Sequence, residues 1–301
     1  MINNNPESQT DDLPERKTKL SYWSKTKCLC PVCLKHFPKE EMLSGGGRMI
    51  AGDLTDELHR TFEKSERYGQ IYPLIYAIGA CPHCHAAFFW KDFVEIKDSA
   101  SLTRVREDSE NRKKAVSVLF PHYSLTRERN LLDGAAMYYL ALLCYEKVDL
   151  CYAPTFKRAM ITLRSAWLCK DLDTAAPGHN YLHAAELFYR KAQFFYEQTL
   201  LNEMSGIESF SRTVTNYGPD IDKNYGYDGI IYLNCLLEYK YGQTEDLSKR
   251  CKKLDSSKRA VARLFGLGKS TKAKPGPILE KSRELYDKIS AELNNANSVE
   301  L

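Results

Sequence analysis

The chain has 301 residues, 43% of them apolar and 27% charged, which is ordinary globular usage and length enough for two modest domains; fibrous and low-complexity classes are excluded. A formal net charge of +4 is too small to demand a polyanionic partner. Ten cysteines without an export signal read as thiols and metal ligands, because a reducing cytoplasm disfavours disulfides.

Residues 1–20 are polar and lack both the apolar stretch and the cleavage site of a signal peptide, so a disordered tail on a cytoplasmic protein is expected. The longest apolar run, Leu140 to Tyr145, falls far short of the roughly 20 residues that cross a bilayer, and no membrane span is expected.

Residues 21–97 form the expected metal-binding module. Cys30-Pro31-Val32-Cys33 and Cys81-Pro82-His83-Cys84 are two C-P-x-C knuckles. Two residues between cysteines let both thiolates reach one ion while the intervening amides turn toward the sulfurs. Two such knuckles supply the tetrahedral four-thiolate shell that zinc prefers. A closed shell leaves no open coordination position, so one structural Zn²⁺ is expected on Cys30, Cys33, Cys81 and Cys84. Its formal charge of about −2 can be offset by neighbouring amides and by Lys27 and Lys35.

A competing reading takes Cys81-Pro82-His83-Cys84 as the active-site tetrapeptide of a thiol-disulfide oxidoreductase. Against it stand the missing export signal, the absence of a βαβ pattern around it, and the second knuckle at Cys30. Cys28 is expected to be a spare neighbour, because C-x-C spacing places thiols poorly around one ion. His36, His83 and His85 are expected to surround the site without ligating. Gly45-Gly46-Gly47 is expected to join two ribbon strands.

Residues 98–129 read as a charged, partly helical connector, and 130–295 as a helical domain. Asp133 is expected to cap a helix running to Lys147. Pro154 restarts the chain, and Phe156, Met160, Leu163 and Trp167 recur on one face of a 3.6-residue period. Leu182, Ala185, Tyr189, Ala192 and Tyr196 form the stripe of a long amphipathic helix. A polar loop over about 205–227 follows, then a helix from about Gly229 to Tyr241. Gly242 turns it into another with Leu247, Cys251 and Leu254 on one face, an αα-hairpin. Residues Ile278 to Leu293 read as a terminal helix and 296–301 as a frayed tail. Cys144, Cys151, Cys169, Cys235 and Cys251 read as small apolar residues of these helices.

Other chemical patterns weaken on inspection. Gly266 to Thr271 imitates the end of a phosphate-binding loop, but its first glycine would fall at Arg263 and a helix precedes it. His179 and His183 are one helical turn apart, with no glutamate of the H-E-x-x-H kind beside them. No set of nucleophile, base and orienting acid can be assembled, so a non-enzymatic role is expected. The basic run from Lys249 to Lys274 is either a solvated face or an anion-binding stripe. Within it, Lys252, Lys253 and Arg259 are the candidate partner-binding residues.

The two knuckles, LRSAWLCKDL around Trp167, AAELFYRKAQFFYEQTL around Tyr189, and YLNCLLEYKYGQTED together resemble a bacterial family of uncharacterised proteins. That family pairs C-P-x-C zinc-ribbon knuckles with degenerate tetratricopeptide-like helices. The resemblance spans about Cys28 to Leu254 and implies no enzymatic activity. The family often has glycine after each knuckle, where this chain has Leu34 and His85. Ala185, Tyr189 and Ala192 repeat the small-aromatic-small spacing of a tetratricopeptide second helix. The expected architecture is therefore mainly α, a small β-containing zinc ribbon followed by helical hairpins of an α-solenoid. The expected function is a zinc-binding scaffold or adaptor for a protein or peptide, with nucleic-acid binding as the first alternative and thiol exchange as the second.

Overall fold

Each cysteine knuckle sits at the tip of a short antiparallel hairpin. The computed structural model of the protein describes residues 19–266 and 276–299. Strand β1 (Ser21–Trp23) pairs with β4 (Glu40–Met42), and nested between them β2 (Cys28–Leu29) pairs with β3 (His36–Phe37). Strand β5 (Ala51–Leu54) pairs irregularly with β6 (Arg60–Phe62), and β7 (Ile78–Ala80) with β8 (Ala87–Phe89). Gly46 and Gly47 turn with positive φ and carry the chain from the β1–β4 pair to the β5–β6 pair, so they join strands of different hairpins.

Helices account for the rest: α1 (Asp92–Glu95), α2 (Ser99–Glu107), α3 (Ser109–Leu119), α4 (Leu131–Tyr145), α5 (Pro154–Ala175), α6 (Tyr181–Ser205), α7 (Phe210–Thr213), α8 (Gly226–Tyr241), α9 (Leu247–Phe265) and α10 (Gly276–Val299). The connector is thus α2 and α3, started by Asp98, whose carboxylate accepts from the amides of Ala100 and Ser101. At α4 the cap is Asn130, not Asp133. Asn130 has the extended backbone a cap requires, and Asp133 closes the capping box from the third helical position.

Helix α5 lies at the centre. Phe156, Met160, Leu163 and Trp167 are buried as their spacing predicts, but so are Ala159, Ile161, Ala166 and Leu168 on its other faces. It packs on α4 and, most extensively, on α6; α8, α9 and α10 then follow, each against its predecessor. On α6, Ala185, Tyr189, Ala192 and Tyr196 are buried, whereas Leu182 is exposed and Tyr181 fills the first turn of the stripe. The loop read over 205–227 contains the short α7 and ends where α8 begins at Gly226. Helix α10 runs on through Val299, so 296–299 continue the helix instead of fraying. Residues 1–18, the Leu267–Thr271 part of the phosphate-loop lookalike, Lys269, Lys272, Lys274 and Pro275 lie outside the described residues.

One apolar core joins hairpins to helices. It runs from Cys30, Phe37, Ile78 and Phe88 through Val105, Val116 and Phe120 of the connector helices to Tyr138, Phe156, Tyr196, Leu233 and Ile289. Gly134 of α4 marks the closest approach. A Cβ there would lie 2.4 Å from Ile75 in the 3₁₀ turn before β7, so only glycine lets the helix sit on that turn. Among the scattered cysteines, Cys144, Cys169 and Cys235 are buried, as expected, but Cys151 is exposed in a 3₁₀ turn, because Pro154 starts the next helix only after it.

Candidate metal centre

The knuckle turns are built alike. Leu34 donates its amide to the Cys30 carbonyl at 2.9 Å and His85 its amide to the Cys81 carbonyl at 2.8 Å. Each turn is closed from outside, Cys30 donating to the carbonyl of Lys35 and Cys81 to that of Ala86. Both turns need a left-handed residue at the position after the second cysteine. Leu34 (φ 61°) and His85 (φ 57°) adopt it, at a cost of about 1–2 kcal/mol each that glycine would avoid. The departure from glycine therefore changes the energy of the turn and leaves its shape intact.

The two turns bring four sulfurs together. Cys30 Sγ lies 3.6 Å from Cys84 Sγ and Cys33 Sγ 3.6 Å from Cys81 Sγ, and all four ligand atoms fall within 4.8 Å of one another. Zn–S bonds of about 2.3 Å would put tetrahedral sulfurs about 3.8 Å apart. A disulfide needs about 2.05 Å, so the thiols are unpaired and spaced for an ion. Hydrogen bonds that Cys30 makes to Cys81 and Cys84, reinforced by burial, push its thiol far up. Hydrogen bonds from Cys30 and Cys84 hold the Cys81 thiol far down. So many thiols in contact cannot all ionise unaided, and a bound cation removes that conflict. Cys28 is outside the cluster, its Sγ directed at the Leu29 carbonyl. His36 and His83 are exposed. His85 is partly buried edge-on to Tyr123, and burial, with Lys113 and Arg112 nearby, lowers its imidazole to about 4.

What surrounds the cluster was not legible in the sequence. Arg112 of α3, with no exposed side-chain surface, donates from Nε to the His85 carbonyl (3.0 Å) and from a terminal nitrogen to the Cys84 carbonyl (3.1 Å). It also binds the Val105 carbonyl at 3.0 Å, tying knuckle 2 to α2. Ser109 adds a hydroxyl to the Cys84 carbonyl at 2.8 Å, and Arg106 reaches the Val32 carbonyl of knuckle 1 at 2.9 Å. Lys27 and Lys35 are both exposed, so the buried positive charge beside the sulfurs comes from the connector. No spacing rule singles out Arg112 within a run of charged residues. Its one-sided burial, between Val105 and Val116, is a property of the packing.

The profile of a family described as "Uncharacterized protein conserved in bacteria (DUF2225)" matches residues 23–289. The chain belongs to the DUF2225 family. It is also similar to an uncharacterized protein of Borreliella burgdorferi, 39% identical over 278 residues that cover 92% of this chain and 99% of that one. No solved structure matches the chain. The DUF2225 match extends from β1 to α10 and so takes in both knuckles and the helices behind them.

The structure does not bring the other candidate residues of this DUF2225 protein to the cysteines. Lys252, Lys253 and Arg259 lie on α9. Lys253 is paired with Glu197 of α6 at 3.0 Å and Glu238 of α8 at 3.5 Å, and Arg259 with Asp255. Arg250, counted in the same basic run, is buried and serves the carbonyls of Glu238 and Tyr239 and the carboxylate of Glu292. The run therefore meets acids from α6, α8 and α10 as well as Asp255, which lowers its surplus charge. His179 and His183 are both exposed. Among the described residues no helix is long and apolar enough to cross a membrane.

Proposed function

We propose that this protein is a non-catalytic, cytoplasmic zinc-binding scaffold. One structural Zn²⁺ on Cys30, Cys33, Cys81 and Cys84 locks the hairpins onto the connector, and the helices take a protein or peptide partner. The observation that carries the reading is the closed cluster of four sulfurs, with Cys30 and Cys81 inaccessible and the knuckle carbonyls held by Arg112 and Arg106. Such a shell has no open position for substrate, and Cys30 and Cys81 have no exposed surface from which to attack a disulfide, which counts against thiol exchange. The helical pairs α5–α6 and α8–α9 support a tetratricopeptide-like surface. The face of α6 turned from the core carries Leu187, Phe194 and Leu201, each about half exposed and seven residues apart, which gives an apolar stripe suited to an amphipathic segment. The pairing of Lys253 and Arg259 with acids counts against the nucleic-acid alternative.

Affinity capture with the zinc-loaded full chain tests the partner half of this reading. A specific protein is recovered by the native chain and lost with Phe194→Glu, whereas reversing the charge of Lys252, Lys253 and Arg259 weakens capture only if α9 takes part. Recovery of nucleic acid alone, with steep salt dependence, contradicts it.

A further inference from the structure

Away from the cysteines, a cavity of about 240 Å³ opens at the seam between the β5–β6 hairpin, the segment 70–74 and the C-terminal end of α5. Phe62, Ile71, Leu74, Leu168 and the ring of Tyr72 form its apolar wall, and His59 and Asp171 are among its polar groups. We propose that this cavity is a binding site for a small primary ammonium ligand with an apolar body, whose charge is received by Asp171.

His59 is held from several directions. Its Nδ1 lies 2.5 Å from Asp220 Oδ2, and the Asp220 carboxylate also accepts from the amides of Arg60 (2.8 Å) and Ile221 (2.6 Å). Burial works to raise the Asp220 carboxyl, but His59 and these amides outweigh it and hold it below the usual carboxylate range. An ionised carboxylate only accepts, so His59 Nδ1 is the donor in this contact. The ring stacks on Trp167 at 4.2 Å, and the Trp167 indole is fixed in turn by Glu57 at 2.7 Å. An imidazole that merely faced solvent would need none of this support.

Asp171 is the carboxylate that lines the cavity, and it makes no hydrogen bond or ion pair among the described residues. It stands near the C-terminal end of α5, whose last turn contains no basic residue. Unsatisfied carbonyls give a helix end of that kind a partial negative charge, which favours a cation beside it. Burial raises the Asp171 carboxyl to about 6, against the lowering influence of His59 and Lys170. Arg60 also lines the cavity, but its guanidinium is held by Asp222 (3.3 Å) and the Gly52 carbonyl (2.9 Å), and the exposed Lys170 ammonium lies over the ring of Tyr189 (5.9 Å). Tyr72 feels the charge of Asp171 across the cavity.

A carboxylate without a protein partner among the described residues, a negative helix end and an apolar wall select a small cation with a hydrocarbon body. A carboxylate or phosphate would face Asp171, and a metal ion would find one imidazole and one carboxylate, short of the three protein ligands it usually takes. The cavity is smaller than the roughly 300–1,000 Å³ that holds drug-sized ligands, which restricts the ligand to a small amine. The site shares no residue with the metal centre, so it stands or falls independently of the scaffold reading.

Calorimetric titration of the full-length, metal-loaded chain with benzylammonium, phenethylammonium and n-hexylammonium tests the assignment. At pH 8 at least one binds saturably with a single site. Affinity falls tenfold or more at pH 5, where Asp171 takes up a proton, and in Asp171→Asn at pH 8. That variant keeps the thermal midpoint of the native chain or exceeds it, because Asp171 has no partner to lose, so its loss of binding is not loss of fold. Absence of saturable binding by all three amines, equal affinity in Asp171→Asn, or tighter binding of phenylacetate overturns the proposal.

Discussion

Knuckle 1, between β2 and β3, and knuckle 2, between β7 and β8, have the same C-P-x-C sequence, the same turn hydrogen bonds and the same left-handed residue after the second cysteine. Around knuckle 1, Leu34 is 69% exposed and Leu29 48% exposed. Around knuckle 2, Ala86, Ala87 and Phe88 have no exposure, the Ala87 amide points at Cys144 Sγ of α4, and Arg112 grips the Cys84 and His85 carbonyls. Local sequence thus builds a ligand pair in either setting. The packing behind it decides how firmly the pair is held: knuckle 1 joins the core through Cys30, Val32 and Phe37, and knuckle 2 is gripped by α3 and α4 as well.

The largest expected effect breaks the symmetry of the two. Cys33→Ser and Cys84→Ser should both release the metal, because three thiolates leave the shell open. Only Cys84→Ser should also loosen the helices, seen as a lower thermal midpoint and weakened near-ultraviolet circular dichroism. Equal loss of helical stability in both variants would mean that knuckle 1 is as embedded as knuckle 2.

Next comes Arg112→Ala. It strips the Cys84, His85 and Val105 carbonyls of a fully buried charged donor, and a cost of about 3 kcal/mol in chemical denaturation is expected. Arg112→Lys should recover little, since one ammonium cannot reproduce the planar fork that reaches three carbonyls. The comparison sharpens with Arg106→Ala. Its partner is the Val32 carbonyl of knuckle 1 and its side chain is exposed, so a cost below about 1 kcal/mol is expected.

Smaller still are the glycine replacements. Leu34→Gly removes a left-handed leucine that packs on little, and a gain of about 0.5–1 kcal/mol is expected after the entropy lost by glycine. His85→Gly relieves the same backbone but gives up the ring packed against Tyr123, so no net gain is expected. Cys28→Ser should leave metal content unchanged, because Cys28 is outside the cluster. Loss of metal there would place Cys28 in the ligand set.

The sequence carried the four ligands and the helical periodicity because both are local: two residues set the reach of a thiolate pair, and 3.6 residues set a stripe. It misread what depends on neighbours distant in the chain. Helix α5 showed one apolar face although it is buried on several, since its small and aliphatic residues are legible as core only once α4 and α6 flank it. Arg112 looked like one more charge in a solvated connector. The basic run of α9 looked opposed by Asp255 alone because Glu197, Glu238 and Glu292 lie on other helices. His59 and Asp220, 161 positions apart, carried no shared signal at all.

Native mass spectrometry of the full chain, purified under reducing conditions without chelator and followed by thiol alkylation, tests the central claim most directly. One zinc per chain is expected, with Cys30, Cys33, Cys81 and Cys84 protected from alkylation until the metal is removed. A folded chain that is free of metal, with these four thiols either readily alkylated or joined as disulfides, would contradict the account.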